Sequence, residues 1–268
     1  MRVQNCAPSF ERMAQRLQGR TALITGSTSN IGRAIAIAFA QEGAHVVVSG
    51  RNEARGAEVV AQIRADGGKA DFARADLDGS LAASRALAEE ARSLLGGRVD
   101  VLVNNAGIYP SPGTLDTDED TYDRIYDVNV KAPFFLTQAL VPGMIDAGGG
   151  TIVNLGSWIT RLGVHRGSVY SSTKGAMETL TRAWASEFGS RGVRVNAISP
   201  GVIASDEWDD EIRGVSNVMM RGTPAGEAGR PDAIARAAVY LASDDAEFVH
   251  GIVLDVDGGR TGVAVVAV

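Results

Sequence analysis

Seven short apolar runs rich in β-branched residues recur along the chain, at Ala22–Thr25, Val46–Ser49, Ala70–Ala75, Val99–Asn104, Thr151–Leu155, Val193–Ile198 and Ile252–Asp255, and a helical pattern separates each from the next. Seven strands alternating with helices imply an α/β fold: a doubly wound, mostly parallel sheet with helices on both faces. In such a sheet ligands gather beyond the carboxyl ends of the strands. Gly26, Asn104, Ser157 and Pro200 each follow a predicted strand, so all four are expected along one edge. The chain has 268 residues, 45% of them apolar, with no shift in composition along its length, which suits one domain with a large core. No internal repeat is evident, and Gly148-Gly-Gly150 reads as a turn because a strand pattern resumes at once.

The first strand leads into a glycine-rich turn. Thr21-Ala-Leu-Ile-Thr25 is followed by Gly26-Ser-Thr-Ser29-Asn30-Ile31-Gly32 and then by the helical run Arg33–Ala40. Backbone amides at the start of a helix point outward and the helix dipole favours an anion, so a pyrophosphate can settle there. Glycine is needed where the backbone takes positive φ or approaches a ligand closely.

Tyr170 and Lys174 lie four residues apart, with Ser157 upstream. On a helix, positions i and i+4 share a face, so a phenol and an ammonium can converge on one small volume. A nearby positive charge favours the phenolate and is expected to lower the Tyr170 pKa toward the range useful for general acid/base catalysis. Taken alone, the pair reads as an exposed phenol and a solvated ammonium on a surface helix.

Together these motifs resemble the short-chain dehydrogenase/reductase family, most closely its 3-oxoacyl-(acyl carrier protein) reductase branch, from about Arg20 to Gly259. Thr25-Gly-x-x-x-Asn30-x-Gly32 stands for the cofactor motif, and Asn104-Asn105-Ala106-Gly107 for the motif that props the central sheet. Asn129, in Asp127-Val-Asn-Val-Lys131, Ser157, Tyr170 and Lys174 match the four catalytic residues, and Pro200-Gly201 matches the turn beside the nicotinamide. The resemblance implies a single Rossmann domain over residues 20–268, after an N-terminal extension at 1–19. It also implies cofactor contacts from Gly26, Ser29, Asn30, Ile31, Gly32, Arg51, Asp76, Leu77, Asn105, Ala106, Gly107, Tyr170, Lys174, Pro200, Gly201, Ile203 and Ser205. Two positions depart from the family pattern. Asn30 replaces a glycine but tolerates left-handed geometry, and Ser205 replaces a threonine but keeps the hydroxyl.

The implied reaction is reversible hydride transfer between a nicotinamide cofactor and a ketone or secondary alcohol. Tyr170 exchanges the proton, Ser157 orients the carbonyl, Lys174 holds the nicotinamide ribose and tunes Tyr170, and Asn129 holds a proton-relaying water. NADP(H) is the expected cofactor, because Gly50 stands where NAD-preferring relatives carry an acid and Arg51 can offer a fork to a 2′-phosphate; a merely solvated Arg51 would leave the preference mixed. Asp76 matches the adenine-binding residue, although an Asp after a strand is equally a helix cap.

The substrate is less constrained. A mobile lid is expected at about 205–229, where Trp208, Met219 and Met220 either grip an acyl chain or pack against the body. Arg161, His165, Arg166 and Arg191 could receive an acidic acyl carrier protein, but Gly143–Gly150 lacks a basic residue and Asp206–Asp210 is acidic. A 3-oxoacyl thioester, as for the 3-oxoacyl-(acyl carrier protein) reductases, is the leading expectation, with a sugar, polyol or other secondary alcohol as the alternative and a non-catalytic nucleotide-binding regulator as the remote one. Family members commonly assemble as tetramers through helices corresponding to Thr121–Ala147 and Ser168–Ser190, so a homo-oligomer, tetramer or dimer, is expected.

The net charge of −6 argues against nucleic-acid or anionic-membrane partners. Cys6 is the only cysteine, and with His45, His165 and His250 scattered, neither a disulfide within the chain nor a zinc site is expected. No segment reaches the roughly 20 apolar residues of a membrane span, and residues 1–19 lack the apolar core of a signal peptide. A cytoplasmic location follows as the expectation. The apolar Val263–Val268 tail reads as interface or core, or as a frayed end.

Overall fold

The computed structural model describes residues 15–205 and 208–264. Most of the expected N-terminal extension with Cys6, the acids Asp206 and Glu207, and the end of the apolar C-terminal tail therefore lie outside the described residues. Seven strands form one sheet: β1 (Thr21–Ile24), β2 (His45–Gly50), β3 (Lys69–Arg74), β4 (Val101–Asn104), β5 (Gly150–Leu155), β6 (Val193–Pro200) and β7 (Val253–Val256). Their order is β3-β2-β1-β4-β5-β6-β7, and all six pairings are parallel. The order reverses between β1 and β4, which opens the crevice at which such sheets bind ligands.

Both faces of the sheet are apolar, as a parallel sheet covered on two sides requires. On one face, Ala22, Ile24, Val46, Val48, Val101 and Val103 pack under α1 (Asn30–Gln41), α2 (Glu53–Ala65) and, further along, α8 (Pro231–Ala242). On the other, the alternate residues Leu23, Val47, Leu102, Ile152 and Val195 meet α3 (Leu81–Leu94), α5 (Ala132–Asp146) and α6 (Ser168–Phe188). The remaining helices, α4 (Glu119–Tyr126) and α7 (Asp210–Met220), lie at the carboxyl ends of the strands. None of the helices, among the described residues, is long and apolar enough to cross a membrane.

Two details depart from the sequence reading. Leu17, within the expected extension, is fully buried in the core under α1 and α8, and Arg16 pairs with Glu42 at the end of α1. The expected helix over Thr121–Ala147 is broken by one wide π turn at Asp127–Lys131 between α4 and α5. Pro133 in the first turn of α5 cannot donate to the preceding turn, and the break turns Asn129 inward.

Candidate active site

The turn between β1 and α1 is fixed by sterics. Gly26 has φ +63°, and a Cβ there would lie 2.8 Å from Ala106 Cα. A Cβ on Gly32 would lie 2.3 Å from Gly26 O and 2.5 Å from Asn105 Nδ2. Asn30, at φ 44°, is the one non-glycine residue with positive φ among the described residues, so the turn survives the replacement of glycine. Side chains lock the same backbone. Ser27 Oγ donates to Ile24 O at 2.6 Å and accepts from Ser49 N at 2.9 Å. Thr25 Oγ1 accepts from the amides of Asn105 and Ala106 at 3.1 and 3.0 Å, while Asn105 Nδ2 donates to Thr25 O and Gly26 O, each at 2.9 Å. Ser29 caps α1 by position but makes no side-chain cap bond, so the first amides of the helix remain open toward an anion. A cavity of about 860 Å³ begins at Thr28, Ser29 and Asn30 and reaches Ala204, Ser205 and Arg213 across the crevice.

Beside this turn, Gly50 faces Thr28, and a Cβ would lie 2.8 Å from Thr28 Cγ2. A side chain there would have to displace the Thr28 methyl. Arg51 is exposed, and Asn52 caps α2 by accepting from Arg55 N at 3.0 Å. Asp76 is exposed while Leu77 is buried, and the cap of α3 is Ser80, which accepts from Ala83 N at 3.1 Å. The helix-cap alternative for Asp76 is thereby removed.

Across the crevice, α6 carries Tyr170 and Lys174 to the end of β5, where Ser157 stands. Lys174 is only 7% exposed; its Nζ donates to Leu155 O at 2.9 Å and lies 5.7 Å from the centre of the Tyr170 ring. Burial pushes the Lys174 ammonium down to about 8. Tyr170 departs from expectation. Burial pushes its phenol up to about 12, the nearby Ser157 hydroxyl pulls it down, and Tyr109, edge-on at 6.5 Å between ring centres, pushes it up again. The Lys174 charge is turned toward the Leu155 carbonyl, so desolvation rather than the ammonium decides the direction.

Asn129 is 2% exposed and clamps the loop after β4. Its Oδ1 accepts from Ile108 N at 2.8 Å, and its Nδ2 donates to Ile108 O at 2.8 Å and to Thr173 Oγ1 at 3.2 Å. Gly107 fits between this clamp and the ammonium: a Cβ there would lie 3.3 Å from Asn129 Oδ1 and 3.7 Å from Lys174 Nζ. Behind them, Asn104 donates to Asn154 at 2.9 Å and Asn154 to Thr181 at 2.9 Å, a buried polar string joining β4, β5 and α6.

The third wall follows β6. Gly201 donates to Val256 O at 3.0 Å, and a Cβ there would lie 2.6 Å from Asp257 Cα. Ile203 forms an isolated parallel bridge with Gly229, and Ser205 is buried. In the expected lid, Trp208 and Met220 pack against Trp158 and Val202, while the neighbouring Met219 faces solvent. Packing against the body thus accounts for Met220 and Trp208. Of the four expected basic contacts, Arg161 is engaged by Glu178 and Asp255, and His165 and Arg166 are exposed just before α6. Arg191 lies past the far end of α6, stacked on Phe188, and is not brought to the site.

Residues 26–261 match the family model described as enoyl-(acyl carrier protein) reductase. Over 91% of this chain and 98% of the relative, the sequence is 39% identical to an uncharacterized oxidoreductase of Methylorubrum extorquens. A solved structure provisionally assigned as a betaketoacyl-ACP reductase is 43% identical, with a TM-score of 0.82 over 92% of this chain and all of the other. Another, provisionally assigned as an NAD(P)-dependent gluconate 5-dehydrogenase from Beutenbergia cavernae and holding NADP, is 38% identical, with a TM-score of 0.85 over 93% and 100% of the two chains. The chain belongs to the short-chain dehydrogenase/reductase family.

As a short-chain dehydrogenase/reductase it is an oxidoreductase of a family that uses a nicotinamide cofactor, and the open helix terminus and the glycine cradle fit such a group. Sequence reasoning missed Glu178. This carboxylate, one turn beyond Lys174, is buried under the Ser157 loop; it accepts from Thr160 Oγ1 at 2.7 Å and pairs with Arg161 at 3.9 Å. The i, i+4 spacing from Lys174 was the available signal, but nothing in the sequence shows that the loop after β5 folds over it. Thr25 and Ser27 were likewise visible only as turn residues.

Proposed function

We propose that this short-chain dehydrogenase/reductase interconverts a ketone and a secondary alcohol with NADP(H). The observation that carries the reading is the convergence at the end of β5 of Ser157, Tyr170 and the buried Lys174, whose ammonium lies 5.7 Å from the centre of the Tyr170 ring, on the same sheet edge as the open phosphate turn. The nicotinamide, when bound, supplies or accepts the hydride. In reduction, Ser157 donates a hydrogen bond to the substrate oxygen and Tyr170 delivers its proton to that atom as the alcohol forms. A phenol held near 12 is protonated at neutral pH, so it is ready as the acid of reduction, whereas alcohol oxidation requires it to lose that proton and gains at alkaline pH. Lys174 anchors the ribose, and Asn129 keeps the Gly107 loop clear of the ammonium. Preference for NADP(H) rests on the exposed Arg51 beside a carboxylate-free Gly50.

A small secondary alcohol or its ketone is the preferred substrate class, because Arg161 is already paired and Arg191 is remote from the site. The 43% identity to a provisionally assigned betaketoacyl-ACP reductase keeps a 3-oxoacyl thioester as the second reading. A homo-oligomer through α5 and α6 is part of the proposal, since exposed Phe134 lies against Trp184 on that face. The test is NADPH consumption with a panel of small ketones and a short 3-oxoacyl thioester. Turnover that falls about 10²- to 10⁴-fold in Tyr170→Phe, with NADPH binding retained, supports the mechanism. Unchanged turnover in that variant overturns it, and a preference for NADH overturns the cofactor assignment.

A further inference from the structure

Arg260 is set into the small apolar cluster that flanks the reacting end of the site. Trp158, Val202 and Met220 form that cluster, with Ile159, Trp208 and Ala228 packed against it. Trp158 directly follows Ser157, and Val202 directly follows the Pro200-Gly201 turn, so the cluster borders both the proposed carbonyl-orienting hydroxyl and the nicotinamide side of the crevice. The guanidinium carbon of Arg260 lies 4.0 Å from the centre of the Trp158 ring. Its Nη1 donates to Met219 O in the last turn of α7. Its Nε is buried and has no hydrogen-bond partner among the described residues.

This arrangement is costly as it stands. A guanidinium carries five donors in a planar fork shaped for a carboxylate, and a buried donor left unpaired costs about 1–3 kcal/mol, more when it is charged. The acids close by in the chain are already occupied. Asp257 accepts from Gly259 N and Thr261 N, each at 2.9 Å, and from Thr261 Oγ1 at 2.6 Å, while Asp255 faces Arg161 at 3.4 Å. The indole face holds the guanidinium flat, and its Nε is the donor left unpaired.

We propose that Arg260 is a specificity-determining residue that binds a carboxylate of the substrate, making this enzyme one for oxo acids and their hydroxy acids. The inference rests on the ketone–alcohol reading above and goes beyond it by fixing an acidic group on the substrate. The competing account is structural: Arg260 anchors the carbonyl end of α7 and nothing more.

The test pairs small oxo acids with their methyl esters, using NADPH and the full chain as wild type, Arg260→Met and Arg260→Lys. The wild type is expected to favour acid over ester in kcat/KM. Arg260→Met should collapse that ratio by about 10- to 100-fold, the loss of one charge-assisted bond, and Arg260→Lys should recover part of it. Equal losses for acid and ester would leave only the helix anchor and overturn the proposal, as would a wild type indifferent to the carboxylate. If neither member of any pair is reduced, the ketone reading fails for that panel. Hydroxy-acid binding, followed by tryptophan fluorescence in wild type and Arg260→Met, then decides: binding by the wild type that Arg260→Met weakens supports the inference, and equal or absent binding overturns it.

Discussion

The two loops that face each other across the crevice are built on opposite terms. After β1, the turn is held by close packing: Gly26 and Gly32 have no room for a Cβ, and Thr25, Ser27 and Asn105 bond the turn from three sides. After β6, the chain is tied at Ile203 and Gly229, but between them α7 leaves Ile212, Val215 and Val218 exposed, and within the helix only Ser216 and Met220 are buried. A turn that must present amides to an unvarying anion can afford no freedom, whereas a segment that meets the variable part of a substrate can. Precision therefore sits where the ligand is constant.

The strongest way to break the first loop is Gly32→Ala. The added methyl meets the Gly26 carbonyl, which is backbone and cannot swing aside, so a destabilisation of about 3 kcal/mol or more and loss of NADPH binding are expected in thermal unfolding and titration. Retained binding at near wild-type stability would show that the turn is looser than its contacts imply.

Lys174, between the two loops, gives an effect of up to about 3 kcal/mol that depends on pH. Its folded value of about 8 lies below the ordinary 10.5, so between those limits the unfolded chain holds the extra proton and stability rises with pH. Tyr170, held near 12 against 10.0, acts in the opposite sense and takes stability away between about 10 and 12. Lys174→Met should therefore be inactive yet more stable than wild type below pH 8, less the lost bond to Leu155 O, with the advantage fading toward pH 10.5. A constant difference across that range would contradict the buried ammonium.

A smaller effect is expected from Glu178→Gln, which weakens the hold on Thr160 and Arg161 beneath Ser157. Turnover should drop about tenfold while the Kd for NADPH is unchanged; equal losses in both would mean general damage instead. At the other extreme, Val215→Ser on the outer face of α7 should alter stability by less than about 0.5 kcal/mol. A larger loss would mean that α7 is covered in solution, and light scattering would then identify a second copy.

Much of the fold was legible because parallel strands buried on both faces read as continuous apolar runs; all seven fall within two residues of their expected limits. The phosphate turn was legible because glycine and asparagine mark positive φ in the sequence itself. What escaped depends on contacts between distant segments. Leu17 gives no sign, within its own polar neighbourhood, that α1 and α8 will cover it. The break at Asn129 needs both Pro133 and the Ile108 backbone that Asn129 clamps. The direction of the Tyr170 pKa was misread because spacing shows that Lys174 is near but not that its ammonium turns to Leu155. Arg260 and Trp158 are separated by most of the C-terminal half, and no periodicity joins them.

The bridge between Ile203 and Gly229 has a consequence for how such an enzyme changes over time. Because the two roots of the intervening segment are already joined by Ala204 N to Gly229 O at 2.8 Å and Gly229 N to Val202 O at 2.9 Å, its ends stay together whatever lies between them. The segment behaves as a cassette: it can be lengthened, shortened or exchanged at little extra closure entropy, because that entropy grows only slowly with loop length. New substrates can then be explored by transplanting one stretch of chain, while the phosphate turn and the Ser157–Tyr170 pair are inherited untouched.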